Sequence, residues 1–187
     1  MISTLKRLAF VTATGLLLSA CVLIHTTKQE ILYSPEFVAY IGQDGSLPVE
    51  ISGNPLGNSD MANKKLLDAI LLPHWIIPRR LVPVAPVDRG KSYRLVLVFN
   101  PASPIASGDS ICADPQTKTR APGPKMKVLA ALCSSDDNVT RATAEGETAA
   151  GLNDPRFIDL LNDLIRATLP QRNEELGTTD CQASPCG

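Results

Sequence analysis

Chemistry near neutral pH usually starts from a base, and the chain has two histidines, His25 and His74. A serine or cysteine nucleophile needs such a base held within hydrogen-bond reach. His25 falls in a stretch that reads as a tether, where no rigid pocket orients it. His74 lies in Pro73-His74-Trp75-Ile76-Ile77-Pro78, just after a predicted helix. An imidazole satisfied by loop carbonyls accounts for it better than a hydrolase built on His74. Trp75, the only tryptophan, forms an apolar cluster with Ile76 and Ile77 between two prolines. Such a cluster is either core or an exposed anchor for a partner or a membrane interface. His74, Trp75, Ile76 and Ile77 are therefore the candidate partner surface, and no residue is assigned a catalytic role.

The carboxylates add no active site. Asp136-Asp137 and Glu145-Gly146-Glu147 are the closest pairs, and both fall in predicted turns or loops, where a solvated turn explains them without acid and base chemistry. Asp136-Asp137-Asn138 lacks the glycine and distal glutamate of a calcium loop. Ser52-Gly53-Asn54-Pro55-Leu56-Gly57 is a glycine-bearing loop between a strand and a helix, where phosphates can sit on helix amides. It matches neither the Walker pattern nor the dinucleotide fingerprint, and a turn that needs glycine for its backbone angles explains it. No cofactor is implied. With 18 Lys and Arg against 19 Asp and Glu and no basic run, nucleic acid is not an expected partner.

The elements that would position these residues follow from periodicity. Residues 36–41 and 47–52 read as strands of a hairpin with Asp44-Gly45 in the turn. Asn58 or Ser59 offers a cap for a helix running to about Leu72, with Ala62, Leu66 and Ile70 on its buried side. Residues 79–85 are β-like, and Pro83, lacking a donor, points to an edge. Tyr93, Leu95, Leu97 and Phe99 share one face of a strand while Val96 and Val98 keep the other apolar, the pattern of a central strand. Residues 100–124 form a long excursion. A hairpin follows, with strands at 126–133 and 138–144. Asn153-Asp154-Pro155 then starts a helix whose stripe is Phe157, Leu160, Leu161, Leu164 and Ile165, opposite Asp159, Asn162, Asp163 and Arg166. Pro170 stops it. The expectation is a small single α+β domain: an antiparallel or mixed sheet of about five to six strands, packed by two helices, with a long disulfide-stapled loop.

The amino-terminal residues carry an address. Lys6 and Arg7 precede a mostly apolar run from Leu8 to Leu18, which ends in Leu18-Ser19-Ala20-Cys21. An ordinary signal peptidase site would not place Leu18 three residues before the cut. The segment resembles the lipobox of bacterial lipoproteins at all four positions. That resemblance implies cleavage before Cys21 and lipid on its thiol and new amino group; two or three acyl chains anchor stably where one does not. An uncleaved anchor is the competing reading, but the run is short for a span of about 20 residues and includes Thr12, Thr14 and Ser19. Val22 follows the lipid site instead of the aspartate of an inner-membrane retention signal, which favours the periplasmic face of the outer membrane. The expected divisions are a cleaved signal over 1–20, a lipidated tether over 21–35, a globular domain over 36–170 and a polar tail over 171–187.

In that oxidising compartment Cys112, Cys133, Cys181 and Cys186 read as two disulfides. Three pairings are open; Cys112 with Cys133 and Cys181 with Cys186 are favoured because each closes a local loop. A four-thiolate zinc site is disfavoured by the absence of a close Cys-x-x-Cys pair, so no metal is expected.

The order of elements resembles the α/β sandwich of small proteobacterial lipoproteins whose cores are similar to the amino-terminal domain of TolB. It rests on Lys64 to Leu72, Tyr93 to Phe99 and Phe157 to Pro170. It implies an envelope-assembly or scaffolding role and assigns no functional residue. The functional expectation is a non-enzymatic, membrane-anchored envelope lipoprotein that binds another envelope protein. A binder of lipid or a small periplasmic ligand is the alternative, and a hydrolase using His74 a remote one.

Overall fold

Two proline-led helices and one apolar strand set the frame. A computed structural model describes residues 23–29, 33–84, 93–102, 109–115, 119–121, 123–147 and 151–173. Its elements in chain order are β1 (Leu23–Gln29), α1 (Pro35–Ile41), β2 (Ser46–Ser52), α2 (Asp60–Ala69), β3 (Arg80–Pro83), β4 (Arg94–Phe99), α3 (Asp109–Ala113), β5 (Lys125–Ser134), β6 (Asp137–Glu147) and α4 (Pro155–Thr168). The strands form one mixed sheet in the order β1-β6-β5-β4-β2-β3. β2 runs parallel to β3 and β4, and the other neighbours are antiparallel. The α+β class, the mixed sheet, the edge position of residues around Pro83 and the central strand at Leu95–Phe99 match the sequence expectations.

Several expectations need correction. Residues 36–41 are not a hairpin strand but helix α1. Ser34 caps it, its side chain accepting from the Phe37 amide at 3.1 Å, and Pro35 takes the first turn, where a missing N–H costs nothing. Residues 23–29 are not free tether: they form β1, an edge strand paired with β6 from Leu23↔Glu145 to Gln29↔Thr140. His25, assigned to that tether, pairs in register with Thr143. The polar tail also begins late, because Asn173 is buried and its amide donates to the Tyr33 carbonyl at 3.1 Å.

The sheet is apolar on both faces for different reasons. On one, Leu95, Leu97 and Phe99 of β4 join Leu66 and Leu67 of α2 and the stripe Phe157, Leu160, Leu161, Leu164 and Ile165 of α4 in the larger core cluster. Each such buried side chain contributes roughly 1.5–3 kcal/mol. α2 starts at the Ser59 cap but ends at Ala69, short of Leu72, because the Asn162 side chain accepts from the Leu71 amide at 2.8 Å and holds the chain there in a non-helical path. Asn162 is thus buried, not on the wet side of α4. On the other face, Val96, Val98, Leu129 and Ala131 meet Ile111 and Cys112 of α3. Helix α3, within the excursion, therefore packs on that second face, and the Cys112–Cys133 disulfide, Cα to Cα 5.6 Å, fastens it.

At the margin of this second face lies a buried charge. Arg94 Nε donates to Glu50 Oε2 at 2.8 Å, and the guanidinium also donates to the carbonyls of Ser135, at 2.9 Å, and Cys112. One side chain thereby joins β2, β4, the β5–β6 turn and α3. Gly53, just past β2, has φ +68°, and a Cβ there would lie 2.7 Å from the Phe99 carbonyl oxygen. That close approach accounts for the glycine in the 52–57 loop without a ligand.

Candidate partner-binding surface

The segment from Pro73 to Arg79 crosses from α2 to β3 over the end of α4. The Ile76 amide donates to the Pro73 carbonyl at 3.0 Å, making a turn that throws alternate side chains to opposite sides. Ile76 is fully buried in the main core, so it is not part of any surface, contrary to its place among the candidate contact residues. Trp75 is half-buried: its Nε1 donates to the Leu169 carbonyl at 2.9 Å, satisfying the last turn of α4. The His74 ring is exposed and packs edge-on to the Trp75 indole, centroids 5.0 Å apart. Ile77 is 60% exposed.

Neighbouring elements extend this patch. Gly42, at the end of α1, lies so close to Pro78 that a Cβ would meet its ring at 2.0 Å, and the Arg79 amide donates to the Gly45 carbonyl at 3.0 Å. α1 is thus held beside the 73–79 segment, and it presents Tyr40 to solvent, 65% exposed. Phe37 meets Tyr93 edge-on at 5.0 Å, leaving part of the Tyr93 ring exposed at the start of β4. In the turn between α1 and β2 the Ser46 hydroxyl and amide donate to the Asp44 carboxyl, at 2.8 and 3.0 Å, and hold it below the usual carboxylate range. Tyr40 and Tyr93 are not among the candidate surface residues that the sequence suggests; Tyr93 reads there as part of a strand's apolar face. The Ser34-Pro35 helix start was the signal that would have placed Tyr40 on a helix.

The patch occupies one end of the sheet. β4 begins there, beside the β5–β6 turn, whereas β1 begins and β6 ends at the opposite end, where Leu23 pairs with Glu145. Among the described residues no hydrogen bond or ion pair engages the His74 ring; its carbonyl accepts from Arg79 Nη1 at 3.3 Å. Of the acidic pairs, Glu145 faces Lys125 at 3.4 Å and Glu147 faces Arg156 at 3.3 Å, both at the surface. Among the described residues no group of His, Cys, Asp and Glu is placed to hold a metal, and no helix is long and apolar enough to cross a membrane. Cys112 and Cys133 are joined as expected. Cys21, Cys181 and Cys186 lie outside the described residues.

No protein-family model matches the chain, and no curated protein matches it. Among solved structures the chain is similar to a PelC dodecamer, a single-substitution variant, from Paraburkholderia phytofirmans, with 12% sequence identity, 81% of this chain and 100% of that chain covered, and a TM-score of 0.39.

Proposed function

We propose that this chain is a non-enzymatic lipoprotein of the bacterial envelope, held on the periplasmic face of the outer membrane through lipid on Cys21, and that it binds another envelope protein. The observation that carries the reading is the distribution of exposed apolar side chains. Tyr40, Ile77 and Tyr93 lie, with Trp75 and His74, at the end of the sheet opposite the start of β1, where an anchor on Cys21 would attach. Aromatic side chains with a rigid backing of buried neighbours are the usual centre of a protein contact. An anchor at one end and a contact surface at the other suit a component that presents itself to a partner away from the bilayer.

The test is site-specific cross-linking in cells from a photoreactive residue at position 77, with mass spectrometry of what is captured. One recurrent envelope protein is expected, with yield lowered about fivefold or more by Tyr40→Ala, the size of a lost contact worth about 1 kcal/mol. Loss of the same product in Cys21→Ser would tie capture to the anchor. Capture of nothing at any dose, from a chain shown to be folded and membrane-bound, overturns the partner reading.

A further inference from the structure

β1 starts at Leu23, and only Val22 separates it from Cys21. On the reading that Cys21 carries the lipid, on which this inference rests, a connector of two residues reaches at most about 7 Å. The start of β1, at one edge of the sheet, then lies within about that distance of the Cys21 Cα, and the rest of this end of the sheet extends from it across neighbouring strands about 4.8 Å apart.

Several elements meet at this same end. β5 begins and β6 finishes there, Lys125 paired with Glu147. β2 finishes there alongside β4, Ser52 paired with Val98. α4 starts there, Arg156 reaching Glu147 at 3.3 Å. Between the start of α2 and the loop that leads into α4 lies an open cleft of about 480 Å³ whose lining includes Leu56, Met61, Lys65 and Leu152. Met61 is 69% exposed in the first turn of α2, and Leu56 and Leu152 are half-buried beside it. An unbranched thioether standing in water gains from any apolar cover.

We infer that this end is a bilayer-docking face: Met61, with Leu56 and Leu152 behind it, enters the headgroup and upper acyl region of the membrane that holds Cys21. Lys65 lays its methylenes along the apolar rim and directs its ammonium to lipid phosphates. The occupant is the phospholipid surface itself, since the short connector holds one edge of this end of the sheet at that surface and the cleft opens at the same end. The lipid chains then set where the protein sits, and this face sets how it stands, with Trp75 and Ile77 directed away from the membrane.

The test uses the full chain purified with its lipid and reconstituted into phosphatidylethanolamine and phosphatidylglycerol vesicles, with or without lipids brominated near the top of the acyl chains. Native Trp75 serves as the internal control and is expected to keep its emission. Met61→Trp in a Trp75→Phe background is expected to lose a large share of its emission to the brominated lipids, and Ile77→Trp in that background to lose none. Should Trp75→Phe unfold, Met61→Trp in the native background gives the same reading as added quenching over the control. An unquenched Met61→Trp in protein that floats with the vesicles overturns the docking face. Protection of Met61→Trp that rises with protein concentration in detergent, without quenching in vesicles, overturns it in favour of a second copy of the chain. Protein that neither floats nor carries acyl mass on Cys21 overturns the anchored reading itself, and this face with it.

Discussion

Arg94 and Glu50 face each other across two parallel strands at 2.8 Å, with 0% and 3% of their side chains exposed. Removing one member of such a buried pair leaves the other charged in the interior and costs about 3–5 kcal/mol, whereas replacing both with apolar residues of similar volume is often close to neutral. Arg94→Met is expected to fall in the first range and Arg94→Met with Glu50→Leu to recover most of the loss, measured by urea unfolding. A double variant no better than the single one would mean that the bonds from Arg94 to the Ser135 and Cys112 carbonyls carry the stability instead.

The Cys112–Cys133 disulfide spans 21 positions and holds α3 on the second face of the sheet. Closing a loop of that length is worth about 3 kcal/mol in the chain-entropy model. Cys112→Ser with Cys133→Ser is expected to lower the unfolding free energy by about that amount. Because Arg94 donates to the Cys112 carbonyl, the Arg94→Met loss is expected to be smaller in the disulfide-free protein.

Ile76 and Ile77 are chain neighbours with opposite roles. Ile76→Ala empties a core site and is expected to cost about 2–5 kcal/mol by thermal unfolding. Ile77→Ala is expected to change stability by less than about 0.5 kcal/mol while reducing capture of a partner. Equal losses of stability would place Ile77 in the core as well.

Tyr33 is fully buried, and its hydroxyl donates to the Pro170 carbonyl at 2.6 Å, joining the start of α1 to the end of α4. Burial, helped by Glu36, raises its pKa well above the ordinary 10.0. The unfolded chain therefore releases this proton at lower pH than the folded one. The resulting stability is fully present below pH 10.0 and falls as pH rises from there toward the folded value. Tyr33→Phe is expected to flatten that alkaline loss, read as the pH dependence of the urea midpoint; an unchanged slope above pH 10.0 refutes it.

Where periodicity was strong, as in Leu95–Phe99 and in Phe157–Ile165, residue pattern and structure agree because burial on a defined face dictates both. α1 shows the limit. Its Ser34-Pro35 start is the same signature as Asp154-Pro155, but seven helical residues give too few turns for a stripe to stand out, and the Asp44-Gly45 turn beyond them suggested a hairpin. β1 was less legible still. His25, Thr26 and Thr27 carry no apolar alternation, and what makes them a strand is pairing with β6, more than a hundred positions away. Ile76 and Ile77 could not be told apart because a turn bonded from Ile76 to Pro73, not a period, decides which one points inward.

At its other margin the sheet ends in β3, four residues long and closed by Pro83. Molecules confined to a plane collide far more often than molecules in bulk, and a long open margin of amide and carbonyl groups would let neighbours zip together into fibres. A brief margin that finishes on a residue without an N–H offers little to zip onto, so on the anchored reading proposed above, pairing begun at β1 could not run on from sheet to sheet through β3.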